Sequence, residues 1–144
     1  MTRYLLDTNI LSDATKPAPS PALLEWMADQ ADDSLYIASW TIAEIWRGIL
    51  QKPAGKKRSE LEAWFAGKEG PPALFAGRIL AFDERAALVW AALMAEGTSE
   101  GQPRSAVDTI IAAVAVANDC TVVTANSKDF SGLPVLNPLQ PDLA

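Results

Sequence analysis

The chain has 144 residues, of which 49% are hydrophobic, and a formal net charge of −6 at neutral pH. This length fits one domain, residues 1–144, with enough apolar residues for a core, and the acidic balance argues against a protein that coats nucleic acid through bulk charge. There is no histidine and a single cysteine, Cys120. These absences exclude histidine-based catalysis, a disulfide within the chain and a thiolate metal cluster. Any metal would be held by oxygen atoms, which favours Mg²⁺ or Mn²⁺.

The apolar segments are short. The longest, residues 107–117, is below the roughly 20 residues that span a bilayer, and residues 1–4 lack the apolar stretch of a signal peptide. We therefore expect a soluble, cytoplasmic protein without membrane association.

The first half of the chain alternates short apolar runs with helical patterns. A buried strand is predicted at residues 4–6, and a short helix follows it and stops before Pro17. Ser20 and Pro21 predict the start of a helix that runs to about residue 31. The next predicted elements are a strand at 35–38, a helix at 41–51, a basic turn at 52–58 and a helix at 59–67.

The second half repeats this alternation. The predicted elements are a strand at 78–82, a helix at 84–96 capped by Asp83, a polar loop at 97–103, a helix at 106–118 capped by Ser105, a strand at 121–124 and a fifth strand at 134–136. Strands that alternate with helices predict an α/β fold with a central parallel sheet of four or five strands and right-handed crossovers.

Four polar side chains are expected at the carboxyl edge of this sheet, where open parallel sheets bind ligands. They are Asp7, Glu44, Asp108 and Asn126. Each also has a structural interpretation. Asp7 is a candidate helix N-cap and Asn126 a turn residue. Glu44 fits a capping box with Thr41 or an ion pair with Arg47, and Asp108 fits a capping box with Ser105.

The carboxylates have a stronger interpretation as a group. Asp108 is the only charge in a very apolar helix, which predicts that its carboxylate is buried and needs a compensating partner. Two carboxylates about 4 Å apart repel by roughly 4 kcal/mol at an effective dielectric near 20. A cluster of Asp7, Glu44 and Asp108 would therefore take up protons or bind a divalent cation, and such a site can activate water for phosphodiester cleavage.

Six short segments, in order along the chain, carry a family resemblance. They are LLDTN at 5–9, TIAEIWRG at 41–48, FAGRILAFD at 75–83, DTIIAA at 108–113, TANSKDF at 124–130 and LNP at 136–138. With these segments the sequence resembles a PIN-domain nuclease, in particular the VapC/FitB-like toxins of type II toxin–antitoxin pairs.

The resemblance implies a three-layer α/β/α domain and a Mg²⁺-dependent endoribonuclease, with Mn²⁺ as a substitute metal. It implies RNA as substrate, a homodimer, and a cognate antitoxin protein that blocks the active site. Asp7 and Asp108 match the metal-binding aspartates, and Glu44 matches the helix glutamate. Asn126 matches a position that carries an acid or Asn, so we expect one well-held metal. Further site candidates are Thr8, Asn9 and Asp129.

The sequence departs from the family at Ala125, where an arginine is frequent, so a basic contact with RNA is missing there. The candidates for gripping phosphate are instead the basic residues Arg47, Lys52, Lys56, Lys57 and Arg58, for which a solvated turn is the alternative interpretation.

Two other functions fit parts of the pattern. A nuclease-like fold that only binds RNA or a protein remains an alternative, although the complete acidic set argues against it. An aspartyl phosphatase would need a second Asp where Asn9 stands, and a phosphoacceptor receiver domain would need paired acids near the first strand, where only Asp7 is present.

Overall fold

The computed structural model describes residues 2–139 and has a central parallel sheet of five strands. The strands are β1 (Tyr4–Leu6), β2 (Leu35–Ala38), β3 (Ile79–Leu80), β4 (Thr121–Val123) and β5 (Val135–Leu136). The helices are α1 (Thr8–Thr15), α2 (Pro21–Ala28), α3 (Ser39–Leu50), α4 (Lys56–Ala66), α5 (Pro71–Leu74), α6 (Glu84–Ser99) and α7 (Ala106–Ala117). Short 3-10 turns lie at Asp32–Ser34 and Ser127–Phe130. Within residues 2–139, no helix is both long and apolar enough to cross a membrane.

The strands lie in the order β3-β2-β1-β4-β5, so β1 occupies the centre. Leu5 pairs with Tyr36 of β2 on one side and with Val122 of β4 on the other. Along the sequence, β2 and β3 first extend the sheet on one side of β1, and β4 and β5 then extend it on the opposite side. The direction of winding therefore reverses between β1 and β4, which creates a crevice at the carboxyl ends of these two strands.

Helices cover both faces of the sheet, as the three-layer prediction requires. Adjacent residues of a strand point to opposite faces, so Leu5 and Val122 face one layer while Leu6 and Val123 face the other. The first pair packs in a core with α6 and α7, and the second packs with α1, α2, partly buried residues of α3, and Phe75 directly after α5. The apolar character of α7 follows from this arrangement, because most of its residues from Thr109 to Ala117 are buried.

The predicted elements are found, with different boundaries. The first long helix ends at Ala28 instead of residue 31, and α3 begins at Ser39, directly after β2, instead of residue 41. The third strand is reduced to Ile79–Leu80, whereas α6 continues past residue 96 to Ser99. That extension runs through Gly97, which is buried.

The prediction of a basic turn over residues 52–58 is wrong in its second half. Lys56, Lys57 and Arg58 form the first turn of α4, because Gly55, with φ of 156°, is the N-cap of this helix and its carbonyl accepts a hydrogen bond from the Ser59 N–H at 3.0 Å. The glycine–proline segment that ends α4 begins another helix, α5, with Pro71 at its first position.

Candidate active site

Asp7 lies at the carboxyl end of the central strand and is nearly buried, with 7% of its surface exposed. Its backbone N–H donates to the Val123 carbonyl at 3.0 Å, which fixes it between β1 and β4. Its carboxylate oxygen Oδ1 accepts a hydrogen bond from the Ile10 N–H at 2.9 Å and so caps α1. The capping interpretation of Asp7 is therefore correct.

Burial is the main electrostatic influence on this carboxyl group. Desolvation raises the pKa of Asp7, and the nearby carboxylate of Asp108 raises it further. Hydrogen bonds from the Thr124 side chain and from the backbone of Ile10 and Asn9 act in the opposite direction without cancelling the increase. A cation beside Asp7 would relieve both unfavourable effects.

Glu44 is held towards the site by a hydroxyl group of α1. The Thr8 hydroxyl donates to Glu44 Oε1 at 2.6 Å and lies 3.1 Å from the hydroxyl oxygen of the fully buried Thr41. The two structural interpretations of Glu44 are not observed. Thr41 cannot form a capping box because the N-cap of α3 is Ala38, and Arg47 is not among the ion-pair partners found in residues 2–139.

Asp108 lies in the first turn of α7, where its N–H donates to the Ser105 hydroxyl oxygen at 3.3 Å. The prediction that its carboxylate is buried is wrong, because residues 106–108 are exposed and the buried face of the helix begins at Thr109. The apolar composition of α7 reflects its later turns. The buried carboxylate of the site is that of Asp7.

Two polar side chains come from the segment after β4. The Asn126 N–H donates to the Thr124 hydroxyl oxygen at 3.0 Å, and the Asp129 N–H donates to the Asn126 carbonyl at 2.9 Å. Both side chains are exposed. This compact turn places Asn126 and Asp129 on the wall of the same crevice as Asp7.

The crevice is a small cleft of about 90 Å³ that brings the predicted residues together. Its polar lining is Asp7, Thr8, Asn9, Glu44, Asp108, Asn126 and Asp129. Its apolar lining, which the sequence analysis did not single out, is Val107, Ile111 and Phe130. Thr41 and Thr124 were also missed as site residues, although the Thr41 hydroxyl oxygen lies 3.1 Å from that of Thr8 and the Thr124 hydroxyl oxygen accepts from the Asn126 N–H. Their polar side chains at the start of a helix and the end of a strand were the available signal.

The donor set fits a hard divalent cation. Within the part of the chain that the structure describes, no three acidic or cysteine side chains are close enough to enclose an ion. Mg²⁺ does not require such a cage, because it is usually bound through one or two carboxylates and keeps several waters. The buried Asp7 and the neighbouring Asp108 fit that role, with Glu44 beside them.

The residues that were predicted to bind phosphate lie outside the cleft. Arg47, Lys52, Lys56, Lys57 and Arg58 are absent from the lining of the cleft. Arg58 forms an ion pair with Glu62 at 3.0 Å and donates to the Lys52 carbonyl at 3.3 Å. These contacts largely occupy the guanidinium group of Arg58, whereas Arg47 and the three lysines are exposed.

Known proteins are similar to this chain over nearly its whole length. A model of the PIN domain matches residues 4–135. The chain is 39% identical over 139 residues to VapC ribonuclease Y4jK of Sinorhizobium fredii, covering 95% of this chain and 98% of the relative. It is 33% identical over 136 residues to Toxin FitB of Neisseria gonorrhoeae, covering 93% and 96%.

A solved structure shows the same fold. The crystal structure of FitAcB from Neisseria gonorrhoeae superposes with a TM-score of 0.84 at 32% identity, over 94% of this chain and 97% of the matched chain.

Proposed function

The chain belongs to the PIN-domain family, within the group that includes VapC and FitB, and from this membership we propose that it is a divalent-metal-dependent endoribonuclease. The observation that carries the proposal is the cleft at the carboxyl ends of β1 and β4, which Asp7, Glu44 and Asp108 line together. Carboxylates that line one small cleft, in a chain without histidine, are suited to metal-assisted hydrolysis and not to histidine-based acid–base catalysis.

Each polar residue has a role in this proposal. Asp7 and Asp108 bind Mg²⁺ or Mn²⁺, Glu44 completes the binding or orients the attacking water, and Asn126 positions a ligand or water. When bound, the metal supplies Lewis-acid stabilisation of the charge that develops on the phosphodiester oxygens. The water oxygen attacks phosphorus in line, and the bond from phosphorus to the leaving oxygen breaks.

The partners follow from the same relationship. We propose that this protein acts in the cytoplasm as the toxin of a toxin–antitoxin pair, that it forms a homodimer, and that its antitoxin covers the cleft. The names of the relatives support the first point, since one is a ribonuclease and another is a toxin.

The test is cleavage of RNA by the purified chain with Mg²⁺ or Mn²⁺, repeated with EDTA and with Asp7→Asn. We expect EDTA to abolish cleavage and Asp7→Asn to lower the rate by more than about 100-fold, since the loss of an outer-shell partner of a metal site already costs about 10- to 100-fold. Asp33→Asn is the matched control, because Asp33 is exposed and does not line the cleft.

Two results would contradict the proposal. Cleavage that survives both EDTA and Asp7→Asn would exclude the metal mechanism. Binding of Mg²⁺ and RNA without cleavage would support the alternative that the fold serves as a binding module.

A further inference from the structure

A second and larger depression adjoins the cleft. We call it the flanking groove, and define it by Glu96, Glu100, Arg104, Asp108, Lys128 and Asp129. Its volume is about 590 Å³, within the range of roughly 300–1,000 Å³ that holds a compact organic ligand. Asp108 and Asp129 line both the groove and the cleft, so the two spaces meet at these carboxylates.

Arg104 is fixed in the groove by the close approach of its loop to α6. Gly97 is buried, and its carbonyl accepts a hydrogen bond from the Gln102 N–H at 2.8 Å. A Cβ atom at position 97 would lie 3.0 Å from Arg104 Cγ, so the absence of a side chain there lets the stem of the arginine pack against the helix. The loop therefore presents Arg104 in a defined position.

The guanidinium group of Arg104 has unused hydrogen-bonding capacity. One terminal nitrogen donates to the Ser131 carbonyl at 3.1 Å. Its Nε atom is buried and has no partner among residues 2–139. An arginine has five N–H donors, and a buried donor left unpaired is costly. Because Nε is buried, a phosphate group in the groove would accept from the terminal nitrogens of Arg104, which carry more N–H donors than the Ser131 carbonyl uses.

The charges of the groove limit what it accepts. Its four carboxylates outnumber the two cations, Arg104 and Lys128. An extended polyanionic surface such as a duplex would meet Glu96 and Glu100 as well as the cations. A short single-stranded segment can place one phosphate on Arg104 and Lys128, with a divalent cation near Asp108 offsetting the acidic end.

We propose that the flanking groove binds single-stranded RNA next to the bond that is cleaved, with Arg104 and Lys128 as positioning residues for a backbone phosphate. The proposal rests on the proposed ribonuclease function and adds the path of the strand and the residues that position it. Arg104 and Lys128 would provide the basic contact with RNA that is missing at Ala125. They would take the role predicted for the basic cluster at residues 52–58, which lines neither the cleft nor the groove.

The experiment measures binding separately from cleavage. In the Glu44→Gln background, which removes the carboxylate proposed to orient water but keeps Asp7 and Asp108 for Mg²⁺, the affinity for a fluorescein-labelled single-stranded RNA of random sequence is measured by anisotropy over a series of salt concentrations, with Mg²⁺ present. We expect Arg104→Ala to weaken binding about 10-fold, as for the loss of a charge-assisted hydrogen bond. The slope of log affinity against log salt should fall by about 0.7, as for the loss of one phosphate contact on a single strand.

Further variants separate charge from structure. Lys128→Ala should lower the affinity and the slope in the same direction, and Arg104→Lys should recover part of the affinity and most of the slope, since lysine keeps the charge but not the planar fork. Arg85→Ala and Lys68→Ala are matched controls, because neither residue lines the groove, and both should leave binding unchanged. Lys128→Ala keeps the test decisive if Arg104→Ala loosens its loop.

The outcomes distinguish this proposal from the function beneath it. If the unmutated chain cleaves RNA while Arg104→Ala and Lys128→Ala bind like the controls, the groove assignment is overturned and the nuclease remains. If cleavage is absent but binding depends on both residues, the groove assignment stands and the nuclease proposal fails. A duplex that binds as tightly as the single strand, with the same dependence on Arg104, would overturn the assignment to single-stranded RNA.

Discussion

Asp7 combines a structural and a chemical role in one carboxylate. One oxygen caps α1 through the Ile10 N–H, while the group lies nearly buried at the end of the central strand. A charged group there is stabilised by the helix N-terminus and by hydrogen bonds, but it is destabilised by the loss of water. The raised pKa of Asp7 shows that desolvation prevails without a cation. The buried carboxylate of Asp7 therefore favours the binding of a metal, and it lowers the free energy of unfolding of the metal-free protein.

This cost predicts that Asp7→Asn stabilises the metal-free protein at neutral pH. Asn keeps an oxygen that can cap the helix and removes the buried charge, so we expect the free energy of unfolding in EDTA to rise. Urea denaturation measures it. Asp33→Asn, at an exposed acid, should change stability little.

The sign of the pH dependence follows from the same shift. Because the pKa of Asp7 is higher in the folded state than in the unfolded state, its stabilising contribution is present at pH values below the unfolded pKa. That contribution is lost as the pH rises through the folded pKa. The stability advantage of Asp7→Asn in EDTA should therefore grow with pH over this window. An advantage that stays constant or shrinks would contradict the assignment of burial as the dominant cause.

The hydrogen bond from Thr8 to Glu44 supports a second prediction at this scale. Thr8→Val keeps the shape of the side chain but removes the hydroxyl that holds Glu44 Oε1 at 2.6 Å. We expect cleavage and Mg²⁺ affinity to fall by about 10-fold, in the range found for outer-shell partners of metal sites. RNA cleavage rates and Mg²⁺ titration measure the two effects.

Thr98→Val is the control for this change. Its hydroxyl donates only to the Met94 carbonyl on the exposed surface of α6. Equal losses in both variants would mean that the Thr8 effect is not specific to Glu44.

The junction of α4 and α5 shows how a glycine determines the packing of two elements. Gly70 is buried, and a Cβ atom there would lie 2.0 Å from the Phe65 carbonyl oxygen. Its φ of −75° is accessible to any residue, so space and not backbone conformation requires glycine. The close approach lets the chain leave α4 and enter α5 within a few residues.

We therefore expect Gly70→Ala to lower the free energy of unfolding by about 2 kcal/mol or more, because backbone atoms must move to admit the methyl group. Gly48→Ala is the matched comparison, since nothing lies within 4 Å of a Cβ atom there and the residue is inside α3. That change should stabilise by about 0.5–1 kcal/mol through helix propensity. Thermal and urea denaturation of the two variants measure the contrast, and equal effects would contradict it.

At the scale of the whole molecule, the site depends on the strand order. Asp7 follows β1 and Asn126 follows β4, strands that are neighbours although more than 100 residues separate them along the chain. Glu44 arrives on the helix after β2, and Asp108 on the helix before β4. A metal that joins Asp7 to Asp108 would therefore connect the first strand with the second half of the fold.

This arrangement predicts that Mg²⁺ or Mn²⁺ raises the melting temperature of the whole protein. A ligand that binds only the folded state stabilises it by about 2.7 kcal/mol at 100 times its dissociation constant. Differential scanning fluorimetry with metal and with EDTA measures the change. The melting temperature of Asp7→Asn should respond little, whereas that of Asp33→Asn should respond like the unmutated chain. An equal shift in all three would place the stabilising metal elsewhere.

The sequence by itself determined the chemistry available to the protein and the kinds of elements it forms. The absence of histidine and the single cysteine left oxygen atoms as the ligands for any metal, and the alternation of apolar runs with helical periods predicted the parallel sheet. These properties depend on residue type and on local periodicity, which a sequence displays directly. The ordered motifs also identified the family that the comparisons show.

Only the tertiary structure decided how the residues are exposed and joined. Composition predicted a buried Asp108, whereas the fold buries Asp7 instead, because the first turn of α7 is exposed. The Thr8–Glu44 hydrogen bond and the placement of Arg104 beside Ser131 join residues far apart in the chain. Such contacts depend on strand order and on how closely helices and loops pack, which local sequence patterns do not specify.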